Sequence, residues 1–178
     1  MNPRIKSAVY ALPLVFILHN LEELIGMASW TERIPAAIHP HVTTLQFAIA
    51  ITLFSLLGLV TVFGSPRLIN SVWHERILIA FAGMLWLNVF LPHVLATIVF
   101  QMYAPGVFTA VLLNLPLTSF ILWSMYRNGR HSVMSLFLLI ASGGAIGAGL
   151  AVIFLRIGGW AASFFWTGAC VESLLAVV

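Results

Sequence analysis

His19, Glu22 and Glu23 stand three and four residues apart in an otherwise apolar run, His19-Asn20-Leu21-Glu22-Glu23. In a helix that turns about 100° per residue, Glu23 falls about 40° to one side of His19 and Glu22 about 60° to the other. One imidazole and two carboxylates then share an arc of about 100°. Adjacent ionised carboxylates repel strongly in a low-dielectric setting, so the pair calls for a cation or a retained proton. His and Glu at this separation can also ligate from one helix face, as in the Glu-x-x-His pairs of di-metal bundles. The chemistry indicated is divalent metal binding, with zinc or iron expected, or proton exchange between carboxyl and imidazole.

The rest of the chain sets the solvent for that chemistry. Of 178 residues, 61% are hydrophobic and 7% charged, against roughly 25% charged in a soluble domain. So few charges cannot cover a water-facing surface, and lipid is the expected solvent. Residues 1–178 read as one all-α transmembrane bundle of five to six helices. The spans fall over roughly 8–27, 45–64, 77–100, 106–126, 133–155 and 157–177. The last is separated only by Arg156-Ile157-Gly158-Gly159, so it could instead be re-entrant or interfacial. Arg4 and Lys6 before the apolar run have the shape of a signal peptide, but no small-residue cleavage site follows, and the run reads as a retained first span.

Positive charge sets the expected orientation. Arg4, Lys6, Arg67, Arg76, Arg127 and Arg130 fall on one side, and Arg33 and Arg156 on the other. That bias places the N-terminus in the cytoplasm. A net charge of +3 without a basic stripe excludes nucleic acid as a partner. Cys170 is single and forms no internal disulfide. Oligomeric state is not legible.

Depth selects the residues that can join the first-span group. His19 lies near the middle of its span, with Glu22 and Glu23 about 5–6 Å further outward. His93 lies at matching depth on the third span, and Asn114 on the fourth is within reach of the same layer. Asn88 and His93 would point about 140° apart on a regular helix. Pro92 between them removes a backbone hydrogen bond and can kink the helix, re-aiming His93. His93 is therefore the expected ligand, with Asn88 and Asn114 as supporting polar groups. Glu172 falls on the cytoplasmic side of centre and is left out.

Other features have plainer readings. Gly143 and Gly147 share a helix face that suits close packing within the chain. Trp30, Trp73, Trp123 and Trp160 sit at span ends, as interfacial anchors do. His39-Pro40-His41 reads as an exposed turn, and His74 and His131 as headgroup contacts.

The motif His19-x-x-Glu22-Glu23 near the N-terminus of a small multispan chain resembles the bacterial HXXEE-motif membrane proteins. A second stretch, His93 followed by Tyr103-Ala104-Pro105-Gly106-Val107-Phe108-Thr109-Ala110, is similar to a later segment of that family. The resemblance covers roughly residues 10–120. It implies a bacterial cytoplasmic (inner) membrane protein with His19, Glu22, Glu23 and His93 as defining positions, and it supplies no reaction.

The expected function is an intramembrane metal-dependent enzyme. His19, His93 and Glu22 or Glu23 would hold the ion, and the remaining glutamate would act as general base. Glu22 and Glu23 are thus the expected catalytic residues. A site within the membrane favours a lipid or other apolar substrate, and hydrolysis is the simplest reaction. The competing readings are a metal-free isomerase or transferase, a small cation or proton transporter using the same carboxylates, and a non-catalytic assembly or ligand-binding protein. The absence of an internal repeat weighs against transport.

Overall fold

A computed structural model describes the backbone of residues 3–175 and the side chains of residues 3–164. The described chain is all-helical. Helix α1 is Pro3–Thr31, α2 Thr44–Leu68, α3 Ser71–Phe100 and α4 Val107–Arg127. Helix α5 runs Val133–Leu175. All five are long and apolar enough to cross a membrane.

One helix fewer forms than the upper expectation allowed. No turn occurs at Arg156-Ile157-Gly158-Gly159, and residues 157–175 continue α5. The two glycines serve contact instead. Gly158 lies so close to the Gln46 backbone that a β-carbon would collide with its carbonyl, and Gln46 Nε2 donates to the Leu155 carbonyl at 3.1 Å. The side chain of Glu172 lies outside the described residues.

Helix α1 packs between α2 and α4, and α5 lies across α2 and α3. The α3–α5 contact is made through small residues, as the glycine pair implied. Gly143 faces the Ala80 backbone, Gly147 faces Met84, and Gly83 faces Ile140. Trp86 is held inside by a hydrogen bond from Nε1 to Ser119 Oγ at 3.1 Å.

The buried face of α1 explains how the first-span polar residues are aimed. Ile5, Val9, Leu12, Phe16, His19 and Met27 are all buried and follow helical spacing. Glu23, four residues after His19 and four before Met27, continues the same stripe. Below His19 that stripe enters a dry cluster with Leu78, Ile79, Leu85, Ile121 and Met125. Polar groups thus sit on top of an apolar core near the end of the bundle where α1 and α3 finish and α4 begins.

At the opposite end, Glu75 at the start of α3 binds the α4–α5 connection. Its carboxylate meets Arg130 at 3.1 Å and His131 at 3.0 Å. His74 Nδ1 meets Ser65 Oγ at 2.7 Å. Both histidines expected to touch headgroups are therefore engaged within the protein, because the acid and hydroxyl that partner them lie on neighbouring elements.

Candidate metal centre

Three elements bring the site together. His19 and Glu23 project from α1. Asn88 and His93 come from the kinked part of α3. Gly106 and Thr109 come from the start of α4, preceded by the connection 101–106.

The kink solves the angular problem posed by Asn88 and His93. Residues Val89–Val94 form a wide π-helical turn, and Leu91 leaves helical geometry altogether (φ −127°, ψ 104°) ahead of Pro92. A π turn inserts an extra residue and rotates the helix beyond it. Asn88 Nδ2 consequently lies 2.9 Å from His93 Nε2 and 3.1 Å from His19 Nε2. The two imidazole rings stand edge to face with centroids 4.7 Å apart.

Glu23 completes the group. Its Oε1 lies 3.3 Å from His93 Nε2 and 3.6 Å from His19 Nε2. One ligand atom from each of His19, Glu23 and His93 falls within 4.8 Å of the others. His19 and His93 are almost wholly buried, whereas the Glu23 side chain keeps 15% of its surface exposed. Of the three, Glu23 keeps the most accessible surface.

The backs of the rings are also held. Thr109 Oγ1 donates to the Gly106 carbonyl, so it accepts from His19 Nδ1–H at 3.0 Å. The Pro105 carbonyl faces the His93 ring as a backbone acceptor. A proton fixed on Nδ1 of His19 leaves its Nε2 lone pair aimed inward, which is how ligating histidines are oriented. Gly106 forms the floor against both rings. A β-carbon there would lie 2.7 Å from His93 Cε1 and 2.8 Å from His19 Cε1 and Glu23 Cγ.

Glu22 is not part of this group, contrary to the expectation that it would be a ligand or a catalytic base. It lies one position off the buried stripe of α1 and faces the first turn of α4. Its Oε1 accepts from Phe108 N at 3.1 Å and its Oε2 from Thr109 N at 2.7 Å, and Tyr103 Oη donates to Oε1 as well. These amides are orphan donors at a helix start, where a carboxylate is favoured by both hydrogen bonding and the helix dipole. Glu22 thus caps α4 from another helix and sets where Gly106 and Thr109 stand.

Asn114 is fully buried, and neither amide atom has a hydrogen-bond partner among the described residues. It therefore makes no hydrogen bond to the group. Asn20, inside the motif, binds Ser55 Oγ on α2 at 2.8 Å and serves packing. In the loop after α1, His39 Nδ1 meets its neighbour's carbonyl, Pro40 O, at 2.7 Å. Tyr103, Gly106 and Thr109 were not singled out by residue type. The Pro105-Gly106 pair marks a turn before a helix, but nothing local reveals that a distant carboxylate caps it.

Desolvation of the Tyr103 hydroxyl, followed by its hydrogen bond to Glu22, pushes the phenol up to about 12. Below that pH it stays protonated and donates to Glu22. Alkaline titration of the detergent-purified protein should show a phenolate absorbance step near pH 12 that Tyr103→Phe removes. Persistence of that step in Tyr103→Phe would assign it elsewhere and break the link to Glu22.

Among the described residues, a bundle of five apolar helices long enough to cross a membrane, with a largely buried His–Glu–His group, defines a class of small all-helical proteins. Within it, the chain belongs to the HXXEE family: the family described as "Protein of unknown function with HXXEE motif" matches residues 10–121, with His19, Glu22 and Glu23 at the motif. The chain is 33% identical over 109 residues to "Uncharacterized protein YrkK" of Bacillus subtilis (strain 168), covering 61% of this chain and 68% of that protein. No solved structure matches the chain.

Proposed function

We propose that the chain is an integral protein of the bacterial inner membrane in which His19, Glu23 and His93 hold a divalent metal, zinc or iron, for hydrolysis of a lipid or other apolar substrate. The observation that carries this is the convergence of two inward imidazole nitrogens and one carboxylate oxygen within 4.8 Å. Catalytic zinc sites use three protein donors and leave a position open, and two histidines with one carboxylate are a recurrent set for zinc and for non-haem iron alike.

Lipid as the outer solvent is supported by large apolar side chains on the outside of the bundle. Ile25 is 89% exposed, and Ile98, Trp160 and Phe137 more than 60%. Such a surface is unstable in water. The N-terminus is cytoplasmic, because Arg4, Lys6, Arg67, Arg76, Arg127 and Arg130 then lie on the inner side. The metal group falls toward the outer face, where an apolar substrate can reach Glu23 from the bilayer.

An ion held there supplies Lewis-acid polarisation and water of lowered pKa. The protein residues hold and orient. Thr109 and Gly106 fix the His19 ring, Pro105 backs His93, and the Tyr103–Glu22 anchor keeps the start of α4 in place. Glu23, engaged through Oε1, retains Oε2 to accept a proton. Glu22 does not serve as base, since both its oxygens are committed to α4.

Metal analysis of detergent-purified protein tests the reading. The parent chain is expected to carry about one zinc or iron per chain, and His93→Ala and the double variant His19→Ala/Glu23→Ala to carry none. A folded parent that takes up neither metal after reloading refutes it. With metal established, hydrolysis of phospholipid or neutral ester vesicles tests the reaction, and ion flux in proteoliposomes without hydrolysis would favour transport.

A further inference from the structure

Asn88 does more than support the two histidines. Four donors at about 2.0–2.1 Å from zinc stand about 3.3–3.4 Å from one another in a tetrahedron. Four separations in this group lie close to that value. Glu23 Oε1 is 3.6 and 3.3 Å from the two imidazole nitrogens, and the Asn88 amide atom is 3.1 and 2.9 Å from the same two. Glu23 and the end of the Asn88 amide thus each approach both imidazole nitrogens.

The inward atom is Nδ2, which carries two hydrogens and no lone pair, so it can donate to both imidazoles but cannot ligate. Rotating the amide by 180° exchanges Nδ2 for Oδ1 in nearly the same space. Without an ion the N–H side is favoured, because two unprotonated imidazole nitrogens need donors. With an ion those lone pairs are taken, and the carbonyl side is favoured.

Building on the metal reading above, we propose that Asn88 is the fourth ligand, through Oδ1, and that its amide turns over when the metal enters. A neutral amide oxygen is a weak donor beside imidazole and carboxylate. In the resting site it would fill the position that the three stronger donors leave open, and it would yield that position to the water or substrate oxygen that hydrolysis needs. The kink at Pro92 is then what places two ligands five residues apart on one helix onto the same ion.

Asn88→Asp separates this from a purely positioning role by the sign of its effect. Aspartate presents only oxygens near neutral pH. If Asn88 acts as an oxygen ligand, the full-length Asn88→Asp protein binds cobalt(II) at least about tenfold more tightly than the parent, and Asn88→Ala about tenfold more weakly with an altered visible spectrum. If Asn88 acts only by donating N–H to the rings, Asn88→Asp binds more weakly than the parent, and that result overturns the proposal. Should Asn88→Asp misassemble, formate added to cobalt-loaded Asn88→Ala carries the test. Return of the parent spectrum supports an oxygen ligand, and no change at saturating formate refutes it. A parent chain that binds no cobalt removes the metal site itself; a parent that binds while Asn88→Asp binds more weakly removes only the role of Asn88.

Discussion

Gly106→Ala is expected to weaken binding at the proposed metal site by about 100-fold or more and to cost the fold about 3 kcal/mol. Two separate penalties meet at this position. The backbone has φ +89°, in the left-handed region where a side chain is strained. The β-carbon would also lie 2.7–2.8 Å from atoms of His93, Glu23 and His19, all parts of the proposed site. Two of the three contacts are with ring atoms that have little room to move. Both rings are packed, held from behind by Thr109 and Pro105, and nearly without exposed surface. Relief must come from moving the rings or moving the start of α4, and either breaks the convergence on Glu23. A loss in zinc affinity of about 100-fold or more is expected.

Gly129 supplies the control. It also has positive φ, +69°, but a β-carbon there meets nothing within 4 Å. Gly129→Ala should therefore show the backbone cost alone, about 1 kcal/mol, with zinc affinity unchanged. Thermal unfolding in detergent and zinc titration of both variants read the two terms separately. Parent-like zinc binding by Gly106→Ala would mean that Gly106 does not bound a metal site.

How far the site was legible in the sequence can be argued residue by residue. His19 and Glu23 were legible because they are ionisable residues about one helical turn apart in an otherwise apolar run. His93 was legible by depth, since span ends and rise per residue are enough to match layers. Glu22 was not. A helical arc of about 100° is wide enough to address two neighbours at once, and the boundary between them depends on where α4 begins in space. The role of Glu22 requires a helix start 86 residues away in sequence, and no local pattern encodes that pairing. Asn88 was legible as a supporting polar group, but its approach to both rings was not. Angular arithmetic assumes a regular helix, and the π turn around Pro92 adds rotation that the presence of proline announces without giving its size.

The same limit explains the missing sixth helix. Gly158-Gly159 beside Arg156 carries the composition of a turn. Glycine, however, marks either a turn or a close backbone approach, and here the Gln46 carbonyl occupies the space a side chain would need. Which of these holds depends on the partner helix.

The two motif glutamates are expected to part company on substitution. Glu23→Gln keeps size and shape but removes the ionisable carboxyl group that faces two imidazole nitrogens at 3.3 and 3.6 Å. The amide is a neutral donor in place of a carboxylate, and zinc affinity falls by about 100-fold or more, while the helical fold holds. Glu22→Gln does the reverse. The carboxylate uses both oxygens as acceptors, Oε1 for Phe108 N and Tyr103 Oη and Oε2 for Thr109 N. Glutamine has only one acceptor oxygen, so its NH2 group must face a backbone N–H or the phenol, and the favourable charge at the start of α4 is lost. A stability loss of about 2 kcal/mol results, with zinc bound at near-parent affinity once the protein is folded. Measuring both properties on both variants gives four numbers whose pattern is crossed. If Glu22→Gln loses the metal while Glu23→Gln retains it, the ligand and the helix cap have been assigned the wrong way round.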